Sequence, residues 1–392
     1  MTGSDVAVRT RLFALLEGEA FTRVAIAPAV ANPAVRAAAM ERLAAGDLAG
    51  LSWMSADWLE RASDPARFLP GAKSVILVAL AYQRPSGSTG GGGDGQPGPP
   101  RGRIAAYARG RDYHRVFEKK LRRVARAIRE EFGAEARPTV DYGPLLERPL
   151  AAAGGMGWQG KSTMLLVPGI GPWVLLGAIA TTLALEAGEP LAKSCGACTR
   201  CVVACPTGAL GSDGSVLDAR LCISYHTIEN RGPIPRELRS KFGAWIFGCD
   251  ECLTSCPVGS HSSFATEADF APADIEAEGP DLHAILALDE EQFASRFRGR
   301  AIMRAKRDGL VRNACVALGN IGTAADLPAL AGALADISPL VRGHAAWAVA
   351  AIAVRHRSAS EVARTSLCAA LAGEDAPIVR QELVAALDEM PE

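Results

Sequence analysis

The chain has 392 residues, 49% of them hydrophobic, with 42 basic residues against 43 acidic ones. That length and apolar content supply a sizeable buried core for two or three domains and exclude a disordered chain. The near-cancelling charge excludes a global field drawing the protein to nucleic acid or membrane, so any such attraction is local.

The N-terminal segment has no long uncharged run behind a basic start, and no stretch reaches the roughly 20 apolar residues that span a bilayer. A cytoplasmic protein without a membrane partner is expected. In a reducing cytosol ten cysteines are not a disulfide framework, and their tight spacing points to metal.

Up to Pro85, amphipathic stretches alternate with one buried-type run, Ser74 to Tyr82, which predicts a central strand. The Gly- and Pro-rich segment Ser86 to Pro100 predicts a flexible surface loop with no chemistry of its own. The stretch Tyr113 to Phe132 places Val116, Leu121, Val124 and Ile128 at helical spacing, and between Arg101 and Arg129 many Arg and Lys face only Asp112 and Glu118. Trp173 to Leu185 reads as a second core strand, and together these predict an α/β layer domain over residues 1–191.

A cysteine-rich region follows over 192–262, and an acidic linker leads to an Ala- and Leu-rich tail within 263–392. There LVRNACVALGNIG from Leu310 and LVRGHAAWAVAAIA from Leu340 are related at a 30-residue offset, with IVRQELVAALDEM from Ile378 a looser third copy. Such a period predicts helical pairs stacked as a short solenoid of the HEAT type.

The segment CGACTRCVVACP sets Cys195, Cys198, Cys201 and Cys205 at the CxxCxxCxxxCP spacing of bacterial ferredoxins. A second segment, CDECLTSCP, supplies Cys249, Cys252 and Cys256 but lacks the first CxxC step, and Cys222 fills the vacancy. In two-cluster ferredoxins the cysteine before the proline ligates the other cluster. That rule groups Cys195, Cys198, Cys201 and Cys256 around one 4Fe-4S cluster and Cys205, Cys222, Cys249 and Cys252 around another. Paired CxxC units also suit tetrahedral zinc, although the proline-terminated motif is rare there. Cys315 and Cys368 lie on apolar helix faces and are expected to be small core residues.

The segment VDYGPLLERPLAAAGGMGWQGKS from Val140, the cysteine block, CISYHTIENRGPIPRELRSKFG, GCDECLTSCP and the repetitive tail, in that order, resemble the epoxyqueuosine reductase family. The resemblance implies a cobalamin-binding α/β domain like that of reductive dehalogenases, a ferredoxin-like two-cluster domain and an all-α HEAT-like repeat domain. It implies reduction of epoxyqueuosine to queuosine in a tRNA anticodon loop by a monomer, with electrons passing from an external donor through two 4Fe-4S clusters to cobalamin. The aspartate of the VD motif, Asp141, is then the proton donor, raised in pKa by burial. By motif match Arg61, Asp141, Lys161, Ser162, Ser224, Cys249 and Asp250 are expected near the corrin.

Departures are visible. His226 stands in CISYHTIE where an apolar residue is expected from the family, and it is expected to be an exposed polar group or to approach the cofactor or the substrate. Ala178 stands where the family commonly has a carboxylate. DYHRVF at Asp112 fails the DxHxxG pattern of a cobalt-ligating histidine at its glycine, in keeping with a family that uses no such ligand.

A tRNA substrate should leave a basic footprint. The Arg101 to Arg129 stretch is one candidate, and the run containing Arg296, Arg298, Arg300, Arg304, Lys306, Arg307 and Arg312 is the other. Two rival readings use fewer of these features. A corrinoid reductase of a small molecule would not need the basic entry to the tail, and a simple electron carrier would need only the cysteine block.

Overall fold

In the computed structural model, which describes residues 3–84, 98–260, 265, 267–272 and 279–390, the expected strand at Ser74 is one of eight among the described residues. These are β1 (Arg23–Pro28), β2 (Ser74–Ala81), β3 (Arg103–Ile104), β4 (Ala136–Thr139), β5 (Trp158–Gln159), β6 (Leu165–Leu166), β7 (Val174–Thr181) and β8 (Trp245–Phe247). Most of the Gly- and Pro-rich loop, residues 86–97, lies outside the described residues, as do 273–278 of the acidic linker.

The chain divides into two compact units. The first takes residues 1–85, 111–220 and 251–271, and the second takes 86–110, 221–250 and 272–392. Three consecutive domains were expected, with 192–262 as one of them. Segments of the cysteine region belong to both units, and Ile223, Ile234, Leu238, Phe242 and Ile246 are core residues of the second.

In the first unit, β1, β2, β7 and β4 pair antiparallel in that order. Every residue of β2 is buried, the mark of a strand covered on both faces. Val75, Leu77, Ala79 and Ala81 pack with Ala151, Met156, Leu165 and Ala178 on one side. On the other side lies the helix Tyr113–Phe132, which buries Val116, Phe117, Leu121, Val124 and Ile128. Its close approach depends on Gly177 of β7, where a Cβ would stand 2.7 Å from Phe117 and 3.0 Å from Leu121. Asp112 caps this helix by accepting the His114 N–H, and Gly133, at φ 61°, ends it in the left-handed region. Ala178, one of the expected departures, is fully buried in β7 and is a core residue.

In the second unit, β3 and β8 form a short parallel pair beside a helical C-terminal region. The three related segments fall on the helices Lys306–Ile321, Pro339–Arg355 and Pro377–Glu389, with further helices between them. Leu310, Val311, Cys315, Val341, Ala345, Val379 and Leu383 share one hydrophobic cluster, the continuous core that stacked helices need. Cys315 is buried as expected, but Cys368 is exposed. The reason is register: Ala363 and Leu367 form the buried stripe of the helix Ser360–Ala372, and Cys368 lies one residue off it. Among the described residues no helix is long and apolar enough to cross a membrane.

Candidate active site

Strand β4 ends at Thr139, and Asp141 follows two residues later, before the helix Glu147–Ala153. The turn between them is tight. A Cβ at Gly143 would stand 1.8 Å from the Thr139 hydroxyl oxygen, so only glycine allows the chain to fold back there and present Asp141. The Asp141 side chain keeps 49% of its surface exposed, which contrasts with the buried carboxyl expected from the sequence.

Asp141 is held from several directions. The Tyr113 hydroxyl donates to Oδ2, and His114 Nε2 lies 2.7 Å from Oδ1. His114 Nδ1 lies 2.7 Å from Asp112 Oδ1. Burial disfavours the imidazolium, but hydrogen bonds to Asp112 and Asp141 and their charges outweigh it and push His114 up to about 10. Both ring nitrogens therefore donate at neutral pH, and neither lone pair is left to ligate a metal. Behind the aspartate, Glu147 Oε1 accepts the Asp141 backbone N–H at 3.0 Å. Burial, with repulsion from the Asp141 carboxylate, pushes the Glu147 carboxyl up to about 8. At neutral pH an imidazolium and a largely protonated carboxylic acid thus flank an exposed carboxyl group, an arrangement suited to delivering protons.

A second feature of the first unit is a cavity of about 120 Å³ lined by Cys195, Cys198, Cys201 and Cys256 together with Trp158, Lys161, Ser162 and Leu166. Burial pushes the Cys201 and Cys256 thiols up, and the neighbouring Cys195 adds to both shifts. Thiols crowded in this way are suited to a cationic iron centre, which relieves the repulsion. Cys205 points the other way: burial opposes its thiolate, but the Thr207 hydroxyl and the N–H groups of Leu210, Thr207 and Ala209 prevail and bring its pKa down. Cys205 and Cys252 belong to the first unit, and Cys222 and Cys249 to the second.

The remaining residues expected near a corrin are mostly engaged. Arg61 pairs with Asp57 at 2.9 Å. Lys161 Nζ donates to the Gly196 carbonyl at 2.9 Å, and Ser162 is buried beside it. The buried Trp158 Nε1, which lines the same cavity, finds no hydrogen-bond acceptor among the described residues. In the second unit, Ser224 lies in the helix Ile223–Ile228, and the buried Asp250 accepts the Ala106 N–H at 2.8 Å. His226, expected to be exposed or near the cofactor, is buried, with Nδ1 3.0 Å from Asn230 Nδ2 and its ring 6.0 Å from that of Phe242. It is a core histidine, because its position in the helix faces the hydrophobic cluster.

The second basic run also proves partly internal. Arg312 is buried and donates to the carbonyls of Asn230 and Gly232 at 2.9 and 2.6 Å and to that of His226. Arg307 bonds Asp336 at 2.7 Å and the Leu288 carbonyl at 2.8 Å, and Arg304 bonds Glu229 at 2.9 Å. Arg307 and Arg312 therefore brace the helical region and are not available as phosphate contacts.

Residues 62–142, which run up to the aspartate and its clamp, match the family described as epoxyqueuosine reductase QueG, DUF1730. An epoxyqueuosine reductase of Gloeobacter violaceus is 43% identical over 286 residues, 71% of this chain and 86% of that protein. The chain belongs to the epoxyqueuosine reductase family. It is an oxidoreductase, and residues 194–259 are a 4Fe-4S double cluster binding domain. Among solved structures, a Bacillus subtilis epoxyqueuosine reductase whose catalytic aspartate loop is swung out of the active site is 27% identical with a TM-score of 0.88, over 98% of this chain and 100% of that one. An epoxyqueuosine reductase with an epoxyqueuosine-modified tRNA-Tyr stem loop is 27% identical with a TM-score of 0.87, over 98% of this chain and 99% of that one.

Three residues of the site were not assigned from the sequence. The sequence marks His114 only as a failed cobalt-ligand pattern, gives Tyr113 no role, and shows Glu147 only as part of a motif. The adjacency Asp112-Tyr113-His114 at the start of a basic helix was the available signal, but nothing local ties it to a strand end 27 residues later.

Proposed function

We propose that this epoxyqueuosine reductase family member converts epoxyqueuosine in a tRNA anticodon loop to queuosine, taking up two electrons and two protons and releasing the epoxide oxygen as water. The observation that carries the reading is the Asp141 carboxyl, exposed beyond β4 yet oriented by Tyr113 and His114. Asp141, ionised at rest beside the His114 imidazolium, takes up a proton from solvent through its exposed face and passes it to the departing oxygen. The His114 imidazolium fixes Oδ1 and balances the negative charge left on the aspartate, and Glu147 fixes its backbone through the Asp141 N–H. To reach the acid, the modified base leaves the stack of the loop, as bases acted on by enzymes do.

The electrons come from an external donor and pass through two 4Fe-4S clusters. For one cluster we assign Cys195, Cys198, Cys201 and Cys256, a set supported by their shared cavity. Cys205, Cys222, Cys249 and Cys252 are assigned to the other on spacing alone. The family resemblance assigns cobalamin as the cofactor that delivers electrons to the epoxide, chemistry no side chain here can supply. Its contacts are assigned to Asp141, Arg61, Lys161, Ser162, Ser224, Cys249 and Asp250. The unpaired Trp158 indole N–H beside Ser162 is a donor that suits a polar group of such a ligand. We further assign the α/β first part to cobalamin binding, the cysteine region to a ferredoxin-like arrangement, the tail to HEAT-like repeats, and the active form to a monomer.

The test is a single turnover of epoxyqueuosine-containing tRNA by anaerobically reconstituted protein, with and without cobalamin. Queuosine should form only with cobalamin, and Asp141→Asn should slow the step by about 10²- to 10⁴-fold with tRNA still bound. Cobalamin binding without any change in the tRNA would make the chain a reductase of another substrate.

A further inference from the structure

Most cations of the Arg101 to Arg129 stretch are engaged. Arg101 donates to the Gly279 carbonyl at 2.6 Å, Arg109 to that of Ile104 at 3.0 Å and Arg129 to that of Ala136 at 2.7 Å. Arg103 stacks 4.0 Å from the Trp245 ring, and Arg122 pairs with Glu118 at 3.0 Å.

Arg115 and Lys119 differ. Both are exposed, and neither side chain makes a hydrogen bond or ion pair with a described residue. With Arg111, Lys120 and Arg123 they line a cavity of about 410 Å³ in the first unit, whose lining carboxylates among the described residues are Glu267 and Asp269. Those carboxylates are already spoken for: Glu267 lies 2.9 Å from Lys120, and Asp269 lies 3.4 Å from Arg111. Arg123 pairs with Glu19. The cavity therefore keeps an excess of positive charge at Arg115 and Lys119.

The arrangement works against the helix itself. Arg115, Lys119 and Arg123 repeat at i, i+4 and i+8 along Tyr113–Phe132, and like charges at that spacing destabilise a helix. A polyanion in the cavity offsets the repulsion. The helix also fixes where this charge stands relative to the acid. His114, which holds Asp141, is the residue before Arg115, and Lys119 lies about 7.5 Å further along the axis at 1.5 Å per residue. A nucleotide whose base meets Asp141 carries phosphates close by, and Lys and Arg are the usual partners of those phosphates.

We propose that Arg115 and Lys119, at the mouth of this cavity, form a backbone-phosphate subsite that positions the tRNA loop beside Asp141. The proposal rests on the tRNA reading above and names the residues that reading lacks.

The test measures binding of an unmodified anticodon stem-loop to the cluster-reconstituted full chain between about 50 and about 200 mM salt. Arg115→Gln and Lys119→Gln should each weaken binding and flatten the dependence of log Kobs on log salt by about 0.7 to 0.9. Lys119→Arg should restore it. Arg126→Gln, an exposed cation on the same helix outside the cavity, should leave both quantities unchanged.

A double variant with the wild-type slope overturns the subsite, as does an equal effect from Arg126→Gln, which would mark a diffuse field. A double variant that keeps the RNA slope but loses affinity for inorganic phosphate marks a free-anion site and also overturns it. Turnover separates the two levels. If wild type converts modified tRNA while the double variant keeps the wild-type slope, the subsite alone fails; if wild type neither binds nor converts tRNA, the functional reading fails with it.

Discussion

His114 Nε2 and Asp141 Oδ1 lie 2.7 Å apart, and the other nitrogen of the same ring is held 2.7 Å from Asp112. Because Asp112 also caps the helix that carries His114, the orientation of Asp141 is tied to the start of a helix packed on the sheet. The acid stands on an exposed loop, yet its partner is set by the core.

That tie predicts a positioning role for His114. His114→Gln should reduce single-turnover reduction by about 10²-fold, the scale of a displaced reacting group, with tRNA affinity unchanged. The variant should also change the pH profile. The folded His114 holds its proton to about 10, against 6.5 for an unperturbed imidazole, so it contributes stability below about 6.5 that is lost as pH rises through about 10. Melting curves of wild type should show this loss, and those of the variant should not; matching curves would refute the assigned charge.

Glu147 should govern a lower window. Its carboxyl titrates near 8 when folded and near 4.5 when not, so the native state holds the extra proton between those values. Stability from this group is full below about 4.5 and falls as pH rises through about 8. Glu147→Gln should flatten that slope and raise the melting temperature at about pH 8.5 relative to wild type. A variant less stable than wild type at that pH would show that the carboxylate, not the acid, is the favoured form.

Gly143→Ala should damage activity more than folding. The added Cβ meets Thr139 Oγ1 at 1.8 Å, and relieving such overpacking costs about 1–3 kcal/mol. The turn that yields is the one presenting Asp141. Turnover should therefore fall well beyond the change in melting temperature, while unimpaired turnover would show that the loop tolerates the displacement.

The cysteine assignment predicts how iron is lost. Cys201→Ala or Cys256→Ala should remove the same cluster and halve the iron per chain, and the double variant should lose no more. Cys201→Ala with Cys205→Ala should deplete both clusters. Iron analysis with electron paramagnetic resonance distinguishes the outcomes, and a double Cys201/Cys256 variant stripped of all iron would break the pairing.

The sequence alone determined the parts whose signals are local. The CxxCxxCxxxCP spacing identified the cluster region because the ligands of a cluster loop lie within a few residues of one another. The helix Tyr113–Phe132 and the buried run of β2 were legible because periodicity reports burial directly. Asp141 was legible only through the resemblance of its VD motif to the family's.

Tertiary structure decided what depends on distant residues meeting. It showed that His226 is a core residue, that Arg312 braces backbone carbonyls, and that Asp141 is exposed and clamped. It also brought Cys256 to the cavity of Cys195, Cys198 and Cys201. The charge of a residue is written in the sequence, but whether that charge is spent inside the protein or left for a ligand depends on which acceptors the fold places within about 3 Å of it.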